Sequence, residues 1–172
     1  MTTIATTDAT SSHRWLRVGL TVIALLEFVD ALSGIPYILT DHEHPTALLR
    51  FAQGLLSIKL ALAPVIAGAA LVYAGLGNFR RAILALALLA LTTWALDDVW
   101  SVAIHGLELS LDYGGMVMFL HHFLFPATAL AGIALALKDR RLALAGLLVS
   151  VPTIVNWAGV IAFAVAVMIY GF

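Results

Sequence analysis

The sequence predicts an all-α integral membrane protein: an up-and-down bundle of five transmembrane helices, N-terminus cytoplasmic and C-terminus outside. Three observations predict it. Of the 172 residues, 62% are hydrophobic and 11% charged, with a mean hydropathy of +1.03. Soluble domains carry roughly 45–50% apolar and about 25% charged residues, so polar surface is too scarce to cover a water-soluble globule of this size. Five apolar stretches each exceed the roughly 20 residues that cross about 30 Å of hydrocarbon. The basic residues between them fall on one side.

Residues 1–13 (MTTIATTDATSSH) are Thr/Ser-rich without apolar periodicity and are expected to form a disordered cytoplasmic tail ahead of a single transmembrane domain, 14–172. The first apolar segment, near 15–39, outruns the roughly 7–15-residue core of a signal peptide and has no clear cleavage site, so it is expected to stay in the mature protein. The others lie near 47–76, 81–106, 114–137 and 142–171. They are separated by TDHEHP, GLGNFRR, HGLELSLDYGG and KDRR, breaks that carry turn or charge signals. Links this short make neighbours antiparallel, and the alternating strands of an outer-membrane barrel are absent. NFRRAILALALLAL and KDRRLALAGLLVS open the third and fifth segments alike. Any basic pair followed by Ala/Leu filler reads that way, and an odd helix count denies a clean inverted repeat.

Arg14, Arg17, Arg80, Arg81, Lys138, Arg140 and Arg141 flank the N-terminus and the second and fourth breaks, whereas Asp41, Glu43, Glu108 and Asp112 occupy the first and third. Arg50 is the nearby exception. The positive-inside rule then sets the orientation and predicts a multi-pass protein of the plasma membrane, the inner membrane of a bacterium. Nine Lys+Arg against ten Asp+Glu leave a net charge of -1, which excludes nucleic-acid binding by charge. The absence of cysteine removes disulfides, thiolate chemistry and Cys-ligated metals.

Ionisable side chains deep in a bilayer cost about 2.5–3.5 kcal/mol each on insertion scales and mark functional sites. Every segment contributes a polar group: Glu27 and Asp30, Lys59, Asp97 and Asp98, His121 and His122, and Asn156. At 1.5 Å per residue, Glu27 and Asp30 stand roughly 15 and 20 Å above Arg17, and Asp97 and Asp98 roughly 24–26 Å above Arg81. Measured from the outer side, Lys59 lies roughly 14 Å below Arg50, and the histidines roughly 12–14 Å below Tyr113. All fall between the midplane and the outer surface. Trp94, Asp97, Asp98, Ser101 and His105 follow i, i+3, i+4, i+7 and i+11, one stripe of a helix, as do Glu27, Asp30 and Gly34. Thr153, Asn156 and Trp157 share a face after Pro152. Adjacent His121 and His122 point about 100° apart, so at most one aims squarely inward.

These stripes are expected to converge on one outer-leaflet pocket. Desolvation and like charge favour the protonated form of a carboxylic acid, which is the chemistry that lets such a group exchange protons near neutral pH. The candidate catalytic residues are Glu27, Asp30, Asp97, Asp98, His121 and His122. The candidate substrate-binding residues are Lys59, Trp94, Trp100, Asn156 and Trp157. The expected function is binding or acid–base conversion of a small hydrophobic molecule. The structural alternative, Lys59 pairing with acids as interhelical glue, leaves three intramembrane acids unmatched. For the tryptophans the alternative is an interfacial belt or plain packing.

Two other functional classes use the same residues: a proton- or cation-coupled transport component, and a metal- or haem-binding membrane subunit or assembly factor. The hard ligands are present, but HxxxH, ExxH and HExxH are not, and no metal ligand or cofactor is assigned. Asp41-His42-Glu43-His44-Pro45 reads as a solvated loop rather than an ion site. Gln53 and Ser57 share one face of the second segment and Lys59 the opposite one, which predicts contacts on two sides and a central place in the bundle. The expected partners are the lipid bilayer, the hydrophobic ligand, and an oligomeric or membrane-complex neighbour.

Overall fold

The computed structural model describes residues 5–38, 47–98, 102, 106, 113–139 and 141–171. All regular structure among them is helical: α1 (Ala5–Ser33), the single turn α2 (Ile35–Ile38), α3 (Ala47–Gly75), α4 (Phe79–Thr93), α5 (Tyr113–Phe119), α6 (Phe125–Leu137) and α7 (Leu142–Tyr170). The last turn of α4 widens into a π-helical segment, π1 (Trp94–Asp98), and a second, π2 (Leu120–Leu124), joins α5 to α6. Five stretches are long and apolar enough to cross a membrane: His13–Tyr37, Arg50–Gly75, Phe79–Asp98, Gly115–Leu137 and Leu142–Tyr170. Each overlaps one predicted segment; the third, expected to run to residue 106, is helical from Phe79 to Asp98, and most of 99–106 lies outside the described residues.

One boundary is corrected. The helix begins at Ala5, inside the stretch expected as a disordered tail. Adding residues to an existing helix avoids the costly nucleation step, so helix spreads from the anchored apolar segment into its polar flank.

The breaks explain themselves locally. After α3, the Gly77 N–H bonds the Ala74 carbonyl at 3.0 Å and the Asn78 N–H bonds the Tyr73 carbonyl at 2.9 Å, the paired bonds of a Schellman stop. Gly77 sits at φ 74°, where a Cβ would be strained. Asn78 then starts α4, accepting from the Arg81 N–H on its side chain at 3.4 Å. GLGN thus ends one helix and starts the next within four residues. At the other tight turn Asp139 and Arg141 both adopt φ 51°, costing roughly 1–2 kcal/mol each.

Short links make an antiparallel bundle in which α1 packs on α3, α3 on α4, α4 on α6 and α6 on α7, with α7 returning beside α1. The expectation of a central second segment is half met. Helix α3 has neighbours on two sides, α1 and α4, but α4 is the helix that touches α1, α3, α6 and α7. Its small buried face, Ala82, Ile83, Leu86 and Ala87, lets four helices close around it. Ala24, Ala67, Ala70, Ala74, Ala129, Ala136 and Ala145 are all fully buried, a core of methyl-sized contacts that suits helices approaching closely without large side chains.

The basic residues meet at one end. Arg17 of α1 donates to the Gly75 carbonyl, His13 stacks on Phe79 with ring centroids 5.8 Å apart, and Arg81 lies over Tyr73. The α6–α7 turn joins them, since Gly146 packs against Leu16 and Leu20.

Gly132 of α6 marks the tightest crossing, where an added Cβ would overlap Val149 Cγ1 and meet the Ala145 carbonyl at 3.3 Å. Val149 is buried and stiff at χ1, so it cannot swing away. Gly132→Ala is therefore expected to destabilise the protein by about 1–3 kcal/mol. Gly159→Ala, with nothing within 4 Å, should cost nothing. Thermal melts of the two purified variants check the contrast.

Candidate functional site

The polar residues of four helices and both π turns meet above the alanine core. On α1, Glu27 and Asp30 lie one turn apart, and Glu27 Oε1 accepts a 2.6 Å hydrogen bond from the Thr153 hydroxyl of α7. Thr153 is 3% exposed, so this bond ties the two helices together at the edge of the core. On α3, Lys59 Nζ donates to Asp97 Oδ2 of π1 at 2.7 Å. Lys59 is mostly buried, whereas half of the Asp97 side chain is accessible (51%), so one end of the pair opens on free space. The neighbouring Asp98 points elsewhere: its Oδ1 lies 3.8 Å from Nδ1 of His121 on π2, too long for a direct hydrogen bond but close for a charge. The His121 ring packs on Phe125 at 4.8 Å.

The two π turns are adjacent and hold each other. Trp94 Nε1 of π1 donates to the His122 carbonyl of π2 at 3.2 Å. In return the His122 ring reaches back, with Nε2 at 3.0 Å from the Asp98 carbonyl and Nδ1 at 2.9 Å from the Met118 carbonyl. Proline explains half of this. Pro126 has no N–H, so the His122 carbonyl four residues earlier loses its α-helical donor and is free to accept from Trp94. A wide turn absorbs the ring, and the Phe125 N–H bonds the Leu120 carbonyl five residues back. π turns recur at functional sites because they re-aim side chains within a continuous helix.

Together these elements line an open cavity of about 510 Å³. Of the eleven residues singled out from the sequence, nine line it: Glu27, Asp30, Lys59, Trp94, Asp97, Asp98, His121, Asn156 and Trp157. His122 does not. A neutral imidazole has one N–H, which donates to one of its two carbonyl neighbours at a time, so this ring serves the backbone. The 100° divergence of the histidines sends His121 inward and His122 into the clasp. Trp100, together with Ser101, His105 and the loop of Asp41, His42, Glu43 and His44, lies outside the described residues. Among those described, no group of three or more His, Asp or Glu side chains is close enough to hold a metal ion.

Two residues escaped the sequence reading. Thr153 was visible on the face of Asn156 and Trp157, but its pairing with Glu27 needed the three-dimensional approach of α7 to α1. Pro126 was legible in principle, as a proline four residues after a polar histidine. Comparison of the chain with protein-family models, curated proteins and solved structures gives no match.

Removing Lys59 strands Asp97. Lys59→Met is expected to destabilise the protein by about 1–3 kcal/mol, less than the 3–5 of a fully buried pair because Asp97 is half exposed. Lys59→Met combined with Asp97→Asn should recover most of that loss, and a double-mutant cycle on thermal stability reads it. Thr153→Val, which keeps shape and removes the bond to Glu27, should cost about 1–3 kcal/mol by the same measurement.

Proposed function

We propose that this chain is a multi-pass protein of a bacterial inner membrane, N-terminus cytoplasmic, whose cavity in the outer half of the bilayer binds or converts a small hydrophobic molecule by acid–base chemistry. The observation that carries it is the gathering of nine costly or amphipathic side chains from five apolar spans around one space of ligand size. Charges scattered as structural glue would pair off helix by helix. Here they face a common volume.

Depth and orientation follow from the basic end of the bundle. The Arg-rich turns lie at the ends of α1, α3, α4, α6 and α7 remote from Glu27, Lys59 and Asp97, which the positive-inside rule assigns to the cytoplasm. Between that end and the cavity the helices pack through Leu20, Ala24, Ala70, Ala74, Ala82, Ile83 and Leu86, an apolar floor. A proton or cation path to both faces needs polar groups there, so the floor favours a one-sided pocket over transport.

Within the pocket, Asp98 and His121 are the pair to give and take a proton. They are close enough to influence each other and too far apart to neutralise each other by a direct bond. The His121 Nε2 atom has no partner among the described residues, so it is the ring atom available to a ligand. Lys59 and Asp97 form a fixed dipole beside them, and Trp94 and Trp157 supply flat apolar walls.

Mass spectrometry of organic extracts from purified parent, Asp98→Asn and His121→Ala proteins tests the reading. The expected result is a stoichiometric non-bulk lipophile in the parent, depleted about tenfold or more in each variant, ~1.4 kcal/mol of binding, with melting temperatures unchanged. Folded variants with the parent's extract and activity would remove it.

A further inference from the structure

The cavity's charges do not balance, and the imbalance specifies its ligand. Four carboxyl groups, Glu27, Asp30, Asp97 and Asp98, face one ammonium, Lys59, and one imidazole, His121. Lys59 is committed to Asp97, and His121 lies toward Asp98. Two acids are left over, both on α1. Among the described residues Glu27 has only the neutral Thr153 hydroxyl. The Asp30 carboxylate has no hydrogen-bond or ion partner among the described residues, and the Ser33 hydroxyl that approaches Asp30 goes to its backbone carbonyl instead.

A calcium- or magnesium-like ion does not fit this excess. A divalent cation gathers six or more oxygens at about 2.0–2.6 Å, and among the described residues no three acidic or imidazole groups converge so closely. The negative charge is instead spread along the wall of a cavity of about 510 Å³, a volume that takes a drug-sized molecule. Aromatic surface stands within the same walls in Trp94, Phe125 and Trp157. Dispersed carboxylates with indole faces are what a desolvated organic cation needs, because ring quadrupoles attract a cation more strongly away from water. An anionic ligand would meet four acids, and a neutral one would leave the exposed Asp30 carboxylate without a counter-charge.

We propose that the cavity binds a lipophilic organic monocation, a protonated amine or quaternary ammonium, with its charge beside Asp30 and Glu27 and its apolar body against Trp94 and Trp157. This rests on the reading of the cavity as a pocket for a hydrophobic small molecule, and adds the sign of the ligand's charge.

A matched pair of probes tests it: 6-phenylhexyltrimethylammonium and its uncharged isostere, in which a tert-butyl group replaces the trimethylammonium. Both are titrated calorimetrically into full-length protein in phosphatidylcholine nanodiscs, for the parent, Asp30→Asn, and Asp30→Asn combined with Glu27→Gln. Saturable 1:1 binding of the cation is expected, weakened about tenfold by Asp30→Asn and further in the double variant, with isostere affinity the same in all three. Equal affinity for both probes, unmoved by either substitution, overturns the charge assignment and leaves the hydrophobic pocket standing. Binding of neither probe to the parent overturns both. Asp30 is exposed and unbonded among the described residues, so Asp30→Asn alone decides the matter should the double variant fail to fold.

Discussion

Trp94 and His122 hold the two π turns together through each other's backbone, and the geometry of the cavity depends on that clasp. Trp94 donates to the carbonyl that Pro126 leaves without an α-helical donor, and the His122 ring closes the loop onto the Asp98 carbonyl. A carbonyl buried without a donor costs about 1–3 kcal/mol, so the Trp94 half of the clasp satisfies a group that Pro126 leaves without its helical donor. The consequence lies in the side chains between them. With π1 fixed against π2, consecutive acids diverge: Asp97 reaches across to Lys59 on α3 and Asp98 faces His121 on π2. An uninterrupted α-helix through either segment would change the direction of every residue beyond the wide turn.

The remainder of the bundle supplies a rigid support with little polar content. Alanines at the helix crossings bring α4 against four neighbours, and among the described residues the largest fully buried side chain is Ile83. Polar groups at the edge of this core are satisfied locally or across one interface: Ser150 donates to the Gly146 carbonyl at 2.7 Å, and Thr153 to Glu27. Above Thr153 the character of α7 changes. Beyond Pro152, whose ring removes a helix hydrogen bond, Val160, Ile161, Phe163, Met168 and Ile169 are all more than half exposed, a surface suited to the proposed lipid setting. The bundle is therefore tight where it is apolar and open where its charges lie.

Much of this was legible in the chain. Segment length and hydropathy found all five spans, since both follow directly from helix rise and residue chemistry. Helical spacing put Glu27, Asp30, Trp94, Asp97, Asp98 and Asn156 on faces that share one cavity. Periodicity could not choose between His121 and His122, because it gives the angle between neighbours but not the rotation of the helix about its axis. That rotation is set by the clasp, a tertiary contact made through the backbone. The central helix was misread as α3 for a related reason. Polar groups on two faces signalled two neighbours, while the small apolar face of α4 that gathers four resembles any Ala/Leu run. The tail failed differently: composition argued for disorder, and helix propagation from the anchored segment overrode it as far as Ala5.

The central claim is that these polar side chains share one compartment reached from the side opposite the basic turns. The chain has no cysteine, so single thiols report without background. Ser33→Cys and Asn156→Cys place thiols on the cavity wall, and Leu88→Cys and Val165→Cys on apolar outer surface. With protein reconstituted in one orientation, a membrane-impermeant maleimide applied to each face in turn gives the measurement. Labelling of residues 33 and 156 from the side opposite the Arg-rich turns only, with residues 88 and 165 silent, is the predicted result. Silence at 33 and 156 from that side, or labelling there from the Arg-rich side, would contradict it.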